Sequence, residues 1–324
     1  MRVAPVSHGW VWQRIKIRNV VGMVPRMGNR FLTVAALFWC PGQALDNPPL
    51  DDRRHVRFGI LTSVEIRHRY FARALSEAAD VVAVGYEQTG FHPGAVEGYD
   101  LTDAERAVVA GHFDDRTKAE ERFFGGRTEM LRGGEGVSTL RIEPGGLNSE
   151  ETVSLLDAAG VDAVAVYGTN LIRPPLLDRW SGRMLNMHLG LSPYYRGIAT
   201  NFYPLLNEEP EFVGATIHLI DAGIDSGPII RHARPEIRAD DMPHTIGCKA
   251  ILAGIEAMIR SMREFEAGSL RPVAQWDVPD GRLCLRKDYH PRQVVELYAK
   301  LDAGLIPRYL ERAPMVRDRI RLIP

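Results

Sequence analysis

The sequence predicts an α/β protein: a Rossmann-like, mostly parallel sheet with helices on both faces, plus a small C-terminal α+β extension. Three observations carry this. Short apolar runs at 56–62, 81–86 and 161–167 read as buried strands. The segment between the first two, 66–79, carries Ile66, Tyr70, Leu75 and Ala78 at roughly helical spacing. Strand, helix, strand in about thirty residues is a βαβ unit, which requires parallel pairing and a right-handed crossover.

The elements follow in order. Residues 1–30 hold Arg2, Arg14, Lys16, Arg18, Arg26 and Arg30 and no acid, and an apolar run, 31–40, comes next. That pattern has some of the look of a signal peptide with an overlong basic region, and equally of an appended segment or a start read too early at Met1. With the turn-rich stretch 41–54 it forms an irregular N-terminal extension and linker, 1–54. Ordered structure begins near His55. After the 81–86 strand, 88–136 breaks the rhythm. Charged helical patterns at 102–113 and 115–124 and scattered glycines predict an inserted surface excursion. No glycine-rich phosphate motif follows a strand there. A strand at 138–143 resumes the alternation. Asn148, Ser149, Glu150 and Glu151 cap a helix to about Ala159, with acids at its positive end. The 161–167 strand closes in Gly168-Thr169-Asn170, and Pro174-Pro175 starts a short helix. Strands at 184–188 and 213–220 come next. Asp240-Asp241 before Pro243 signals a helix 243–267, and the extension 268–324 adds a strand at 283–288 and a helix at 291–301.

Composition narrows the function. The 324 residues are 45% hydrophobic and 25% charged, with net charge −1, so there is no global basic field for nucleic acid. No run is long enough to span a membrane as a helix. Cys40, Cys248 and Cys284 lie far apart with no C-x-x-C pattern. This fits a reducing cytoplasm and supplies neither a disulfide framework nor a metal cluster. Cys248 and Cys284 read as buried small hydrophobes.

The informative stretch is 182–231. On a strand, Asn186 and His188 point to one face and Leu185 and Met187 to the other. A carboxamide and an imidazole therefore emerge together at a strand end, where α/β folds place their sites. Pro193, Tyr194, Tyr195, Arg196 and Gly197 form a rigid turn just beyond. Asp225 follows 37 residues after His188, in a loop containing Asp221, Gly223, Gly227 and Pro228. Each of Asn186, His188 and Asp225 has an ordinary structural reading as a cap, a core donor or a turn former. The combination of Asn-x-His, Pro-x-x-Arg-Gly and Ile-Asp-x-Gly is what points to a site.

On these residues, about 56–270 resembles the folate-dependent formyltransferases, most specifically over 160–231. The resemblance makes 55–267 the catalytic domain. It implies that Asn186, His188 and Asp225 are catalytic, and that Tyr167, Gly168, Thr169, Asn170, Leu171, Ile172 and Asp221 receive the pterin of 10-formyltetrahydrofolate, a cosubstrate, with no metal. It also marks Tyr194, Tyr195, Arg196, Gly197 and His218 as candidates for the acceptor side. The reaction moves a formyl group to a primary amine. Asn186 and His188 would supply N–H donors to the oxyanion, and Asp225 would orient and charge-stabilise an imidazole of raised pKa.

The acceptor is read by elimination. Only 57 residues follow position 267, and charge is balanced, so a basic tRNA-gripping barrel is not expected. The turn after His188 differs from the minimal glycinamide ribonucleotide enzymes, and 1–55 is too irregular for the regulatory domain of a formyltetrahydrofolate hydrolase. An amino sugar or amino-acid-like amine remains, the alternatives being a hydrolase, a methionyl-tRNA enzyme or a non-catalytic folate binder. Nucleic acid and membrane are not expected partners; a homodimer is compatible. Arg286, Lys287, His290 and Arg292 form either a holder for a substrate phosphate or carboxylate, or a solvated basic edge.

Overall fold

The computed structural model describes residues 55–88, 96–127, 129–131 and 136–324, all within the unit Asn47–Pro324. The N-terminal extension 1–54, with its signal-like pattern and Cys40, lies outside the described residues.

The chain opens with β1 (Phe58–Ser63), α1 (Ile66–Ser76) and β2 (Val81–Glu87). It continues through α2 (Asp103–Phe124), β3 (Ser138–Ile142), α3 (Glu150–Ala158), β4 (Ala163–Tyr167), α4 (Leu176–Arg179) and β5 (Met184–His188). After β6 (Tyr195–Gly197), α5 (Tyr203–Leu206), β7 (Ala215–Leu219) and β8 (Ile229–Ala233) comes the long α6 (Pro243–Glu266). The tail contributes β9 (Arg282–Cys284), α7 (Arg292–Asp302) and α8 (Leu305–Arg317).

Seven strands form one sheet in the order β3-β2-β1-β4-β5-β7-β8. The first four pairings are parallel, and β5–β7 and β7–β8 are antiparallel. The strand order reverses between β1 and β4, so the crevice at their carboxyl ends is the natural binding position.

Alternation along the strands feeds two cores. Phe58, Ile60, Ala163, Ala165, Leu185, Met187 and Ile217 face α1, α2 and α6, where Phe71, Leu75, Ala119, Phe124, Ile255 and Met258 meet them. Leu61, Val164, Val166 and Met184 face α3 and α4, with Leu156, Leu176 and Trp180. Fully burying side chains of this size contributes roughly 1.5–3 kcal/mol each. The Trp180 indole N–H donates to Val161 O at 3.1 Å, so its burial leaves no orphan donor.

Several elements differ from the sequence reading. Residues 102–124 form one helix rather than two, and it is not a surface excursion. A capping box between Thr102 and Glu105 starts α2, which packs in the core as the crossover between the parallel strands β2 and β3. Its weak amphipathicity misled the sequence reading, because a buried charged triad occupies part of its inner face. Helix α6 starts at Met242, whose N–H donates to Thr245 Oγ1 at 2.9 Å. Asp241 instead accepts Lys249 Nζ at 2.6 Å. The 283–288 segment is a three-residue strand followed by a 3-10 turn, Arg286–Asp288.

The tail is no appendage. A third core joins Tyr195, Tyr203, Leu205, Ile246 and Ala250 to Cys284, Leu297, Leu305, Ile306 and Tyr309. Strand β9 pairs in parallel with β6, the turn just beyond His188. Among the described residues, no helix is long and apolar enough to cross a membrane.

Candidate functional site

Strand β5 ends at the crevice, flanked by β4 and β7. Its pleat puts Leu185 and Met187 into the α6-side core and leaves Asn186 and His188 on the opposite face. Antiparallel pairing sets His218 of β7 directly beside Asn186. The β7–β8 connection then brings Asp225 over the same spot. Asp225 sits at φ 47, a left-handed conformation that Asp tolerates better than most residues. Its carbonyl accepts Gln275 Nε2 at 2.7 Å, so a tail residue clamps the loop.

Four side chains converge. Asp225 Oδ2 is 3.3 Å from His188 Nδ1 and accepts the Gly197 N–H at 2.9 Å. Asp225 Oδ1 is 3.5 Å from both His218 Nε2 and Asn186 Nδ2. His218 Nδ1 donates to Leu219 O at 2.8 Å, which leaves Nε2 to accept Asn186 Nδ2 at 3.0 Å. His188 Nε2 lies 3.0 Å from Tyr195 O. Both nitrogens of His188 thus face acceptors, and a neutral ring can donate to only one of them.

The electrostatics correct one expectation. The reading of His188 as an imidazole of raised pKa does not hold: burial pushes it below its ordinary value. The Asp225 carboxylate pulls the other way, and His218 adds to the lowering. Asp225 is also buried, which opposes ionisation. The electrostatic attraction of His188 and His218 and the Gly197 N–H together outweigh that and hold its carboxyl well below the usual range. The resting site is therefore an ionised carboxylate beside a neutral imidazole.

These groups line a cavity of about 1250 Å³. On one side it meets the loop after β4. Gly168, at φ +72, lies against His68, whose Nε2 would be 2.2 Å from an added Cβ. Asn170 donates its backbone N–H and side-chain amide to buried Glu87, both at 2.7 Å. Asn148 ties the same loop by donating to Leu171 O and accepting Arg173 N–H. Val166, Leu171, Ile172, Ile220 and Ile224 give this side an apolar lining. A rigid backbone edge beside an apolar slot fits a flat heterocycle with hydrogen-bonding edges. Thr169 Oγ1 turns to Asn170 O, and Asp221 accepts from Ser226 Oγ and Gly223 N–H, so its carboxylate shapes the loop. The Tyr167 hydroxyl is buried on the α2 side instead.

The acceptor-side candidates divide. Gly197 and His218 line the cavity; Tyr194, Tyr195 and Arg196 do not. Tyr194 OH donates to Arg321 O at 3.0 Å, and Tyr195 OH engages Glu209 and Asn207. The turn directs these rings into the third core. Gly197, at φ +94, is needed there, since an added Cβ would lie 2.0 Å from Cys284 O. The tail cations also separate: Arg286 Nη2 donates to Asn170 Oδ1 at 3.2 Å, whereas Arg292 pairs with Glu105 at 3.0 Å.

Sequence reasoning missed Glu87, His68 and Gln275, and the polar wall opposite the apolar slot. There Glu120 accepts Arg67 at 2.8 Å and Arg116 at 2.9 Å, near His112 and His244. Their charged residue types on a core-facing helix were the available signal. Among the described residues, no group of three or more His, Cys, Asp and Glu could hold a metal ion.

Residues 117–262 match the family model described as Formyl transferase. The chain is 30% identical over 127 residues to a methionyl-tRNA formyltransferase of Finegoldia magna, covering 39% of this chain and 40% of that protein. It is 28% identical over 180 residues to one of Synechococcus elongatus, covering 53% and 54%. The chain thus spans about half the length, or less, of these curated relatives. Among solved structures, a phosphoribosylglycinamide formyltransferase from Anaplasma phagocytophilum aligns with a TM-score of 0.48 at 16% identity, over 72% of this chain and 99% of that one. The formyltransferase PseJ from Anoxybacillus kamchatkensis, in complex with a UDP-linked formamido sugar and tetrahydrofolate, aligns with a TM-score of 0.45 at 18% identity, over 77% and 94%.

Proposed function

Because the chain belongs to the formyl transferase family over residues 117–262, we propose that it moves a formyl group from 10-formyltetrahydrofolate to a primary amine of a small molecule, an amino sugar or an amino-acid-like acceptor. One observation carries this reading: Asn186, His188 and Asp225 meet within 3.5 Å at the wall of a large cavity, at the carboxyl end of β5.

The chemistry follows from their states. The amine nitrogen attacks the formyl carbon, the bond to folate N10 breaks, and a proton passes from the amine to N10. A neutral, buried His188 is ready to take that proton, and the Asp225 carboxylate at 3.3 Å stabilises the imidazolium that forms. The 3.5 Å contact from Asn186 to Asp225 is its weaker bond, so that N–H is the one released to a developing oxyanion. Loss of such a donor costs about 2.7–4 kcal/mol of transition-state stabilisation. The loop Gly168–Ile172, braced by Glu87 and Asn148, supplies the pterin slot.

Methionyl-tRNA is a second reading of the acceptor, favoured by the names of the sequence relatives. A single assay tests both. Purified protein is given 10-formyltetrahydrofolate with no amine, with a panel of amino sugars and amino acids, and with methionyl-tRNA. Tetrahydrofolate appearing only with a small amine is the expected result. Dependence on methionyl-tRNA overturns the small-molecule acceptor, and formate release without amine identifies a hydrolase. No turnover at all leaves a folate-binding protein.

A further inference from the structure

The tail meets the Asp225 loop at one side chain. Gln275 lies in the extension 268–324, outside the 55–267 catalytic domain of the sequence reading. Its Nε2 donates to Asp225 O at 2.7 Å and to Gly227 O at 2.9 Å. Both N–H bonds of the amide are thereby spent on the loop between β7 and β8, and its Oε1 is buried with no partner among the described residues. All the donors of this side chain go to two backbone carbonyls, one of them that of Asp225.

The loop needs a hold from outside. Asp225 sits at φ 47, in the left-handed region that residues with a side chain rarely occupy, and such a conformation persists where the surroundings over-determine it. Inside the loop, the Asp221 carboxylate accepts Gly223 N–H and Ser226 Oγ, which fastens its first half. At Gly227 the chain turns back tightly, and an added Cβ would lie 1.8 Å from Leu219 O. Gln275 joins Asp225 and Gly227, on either side of Ser226, to one point. That point is itself fixed. Val273 N–H donates to Ile229 O at 2.7 Å and Ile229 N–H to Val273 O at 2.8 Å, at the start of β8. On the other side of Gln275, the Trp276 ring lies 6.0 Å from that of Tyr194 and 4.3 Å from the Arg321 guanidinium.

This hold decides where the carboxylate goes. Asp225 Oδ2 is 3.3 Å from His188 Nδ1, and Oδ1 is 3.5 Å from His218 Nε2. The direction of a Cα–Cβ bond follows φ and ψ, so a rotation of the Asp225 backbone would carry both oxygens away from the two rings. We propose that Gln275 is a positioning residue of the site, holding the Asp225 backbone so that its carboxylate lies between His188 and His218. The inference rests on the formyl-transfer reading for the reaction that is served, and on the geometry alone for the hold. It makes a residue of the tail part of the catalytic machinery.

The test reads turnover and the state of His188 separately. Of the charged groups that bear on His188, namely Asp225, His218 and Arg196, only Asp225 favours the imidazolium. A displaced carboxylate therefore lowers the pH at which His188 protonates. Gln275→Met keeps the length and removes both donors. Gln275→Asn keeps the amide but withdraws it by one methylene, and reads the same loss should methionine pack badly. Gln275→His returns one N–H at similar reach. Each is compared with wild type by circular dichroism, by tetrahydrofolate binding, by formyl transfer to whichever acceptor of the panel above supports turnover, and by NMR titration of labelled histidines, with His188 identified by its absence in His188→Gln. In Gln275→Met, kcat falls about 10²-fold, as for a remote change that misplaces a reacting group by about 1 Å. KM and the tetrahydrofolate Kd stay within about twofold, since ground-state binding is untouched. The His188 midpoint and the acid limb of the rate profile move together to lower pH, and Gln275→His recovers part of both. An unmoved His188 midpoint overturns the inference, whether kcat is normal or falls along with folate binding as in a general packing defect. Wild type without turnover on any acceptor overturns formyl transfer instead, and the midpoint still decides the hold: a drop in Gln275→Met sustains it, and no drop removes it.

Discussion

Two walls of one cavity handle buried polar groups in opposite ways. Around Asp225 both carboxylate oxygens face a histidine: His188 and the Gly197 N–H at Oδ2, His218 and Asn186 at Oδ1. Across the cavity, the Arg67–Glu120–Arg116 triad is paired, yet His112 Nδ1, His244 Nε2 and the Tyr167 and Tyr289 hydroxyls have no hydrogen-bond partner among the described residues. A carboxylate held by a backbone N–H and flanked by two imidazoles is preorganised, holding its charge in place before a reaction begins. Buried polar atoms left without a partner cost stability instead. The difference separates a wall that holds a charge ready for chemistry from a wall whose polar groups weigh chiefly on stability.

The largest effect comes from removing the charge on the Asp225 wall. Asp225→Asn preserves shape and should lower kcat by about 10²–10⁴-fold, the range for a proton-transfer network, with the folded state intact by circular dichroism. The carboxylate raises the proton affinity of His188, so its loss moves the acid limb of the pH–rate profile to lower pH. A kcat within tenfold of wild type, with an unmoved acid limb, would show that this wall is not the reacting one.

The opposite wall should answer in stability. Glu120→Gln leaves Arg67, with its side chain 15% exposed, without its closest counter-ion. Stranding a buried charge costs about 3–5 kcal/mol, and with Glu65 still 3.6 Å from Arg67 the loss should fall at the lower end of that range, to be read from the urea midpoint. Adding Arg67→Met should recover most of it. A loss under about 1 kcal/mol would place the pair with solvent-screened surface bridges instead.

The smallest effect is a pH slope. Burial lowers His68 to about 4, His112 to about 3 and His244 to about 4. The unfolded chain protonates these histidines near 6.5, before the folded protein does. Their contribution is complete above that pH and is lost as pH falls toward 4 and below. The Tm should fall between pH 7 and pH 4.5, and His112→Leu should flatten part of that decline. An unchanged slope in the variant would mean that His112 is not buried neutral.

What the sequence determined by itself is what short-range pattern carries. Short continuous apolar runs marked β1, β2 and β4, and the spacing of Asn186 and His188 put both on one face of β5. The capping run Asn148–Glu151 marked the start of α3, where Ser149 accepts Thr152 N–H at 3.3 Å. The run Ile229–Ala233 gave no separate strand signal, because its identity as β8 depends on pairing with β7. Only the tertiary structure brought Asp225 to His188 across 37 residues, tied Glu87 to Asn170 and set His112 against His244. It also decided that Tyr194 and Tyr195 point into a core completed by the tail. The direction of the His188 pKa belongs to the same class. A neighbouring carboxylate can be guessed from a motif, but desolvation sums over every element packed around the ring, and here that sum wins.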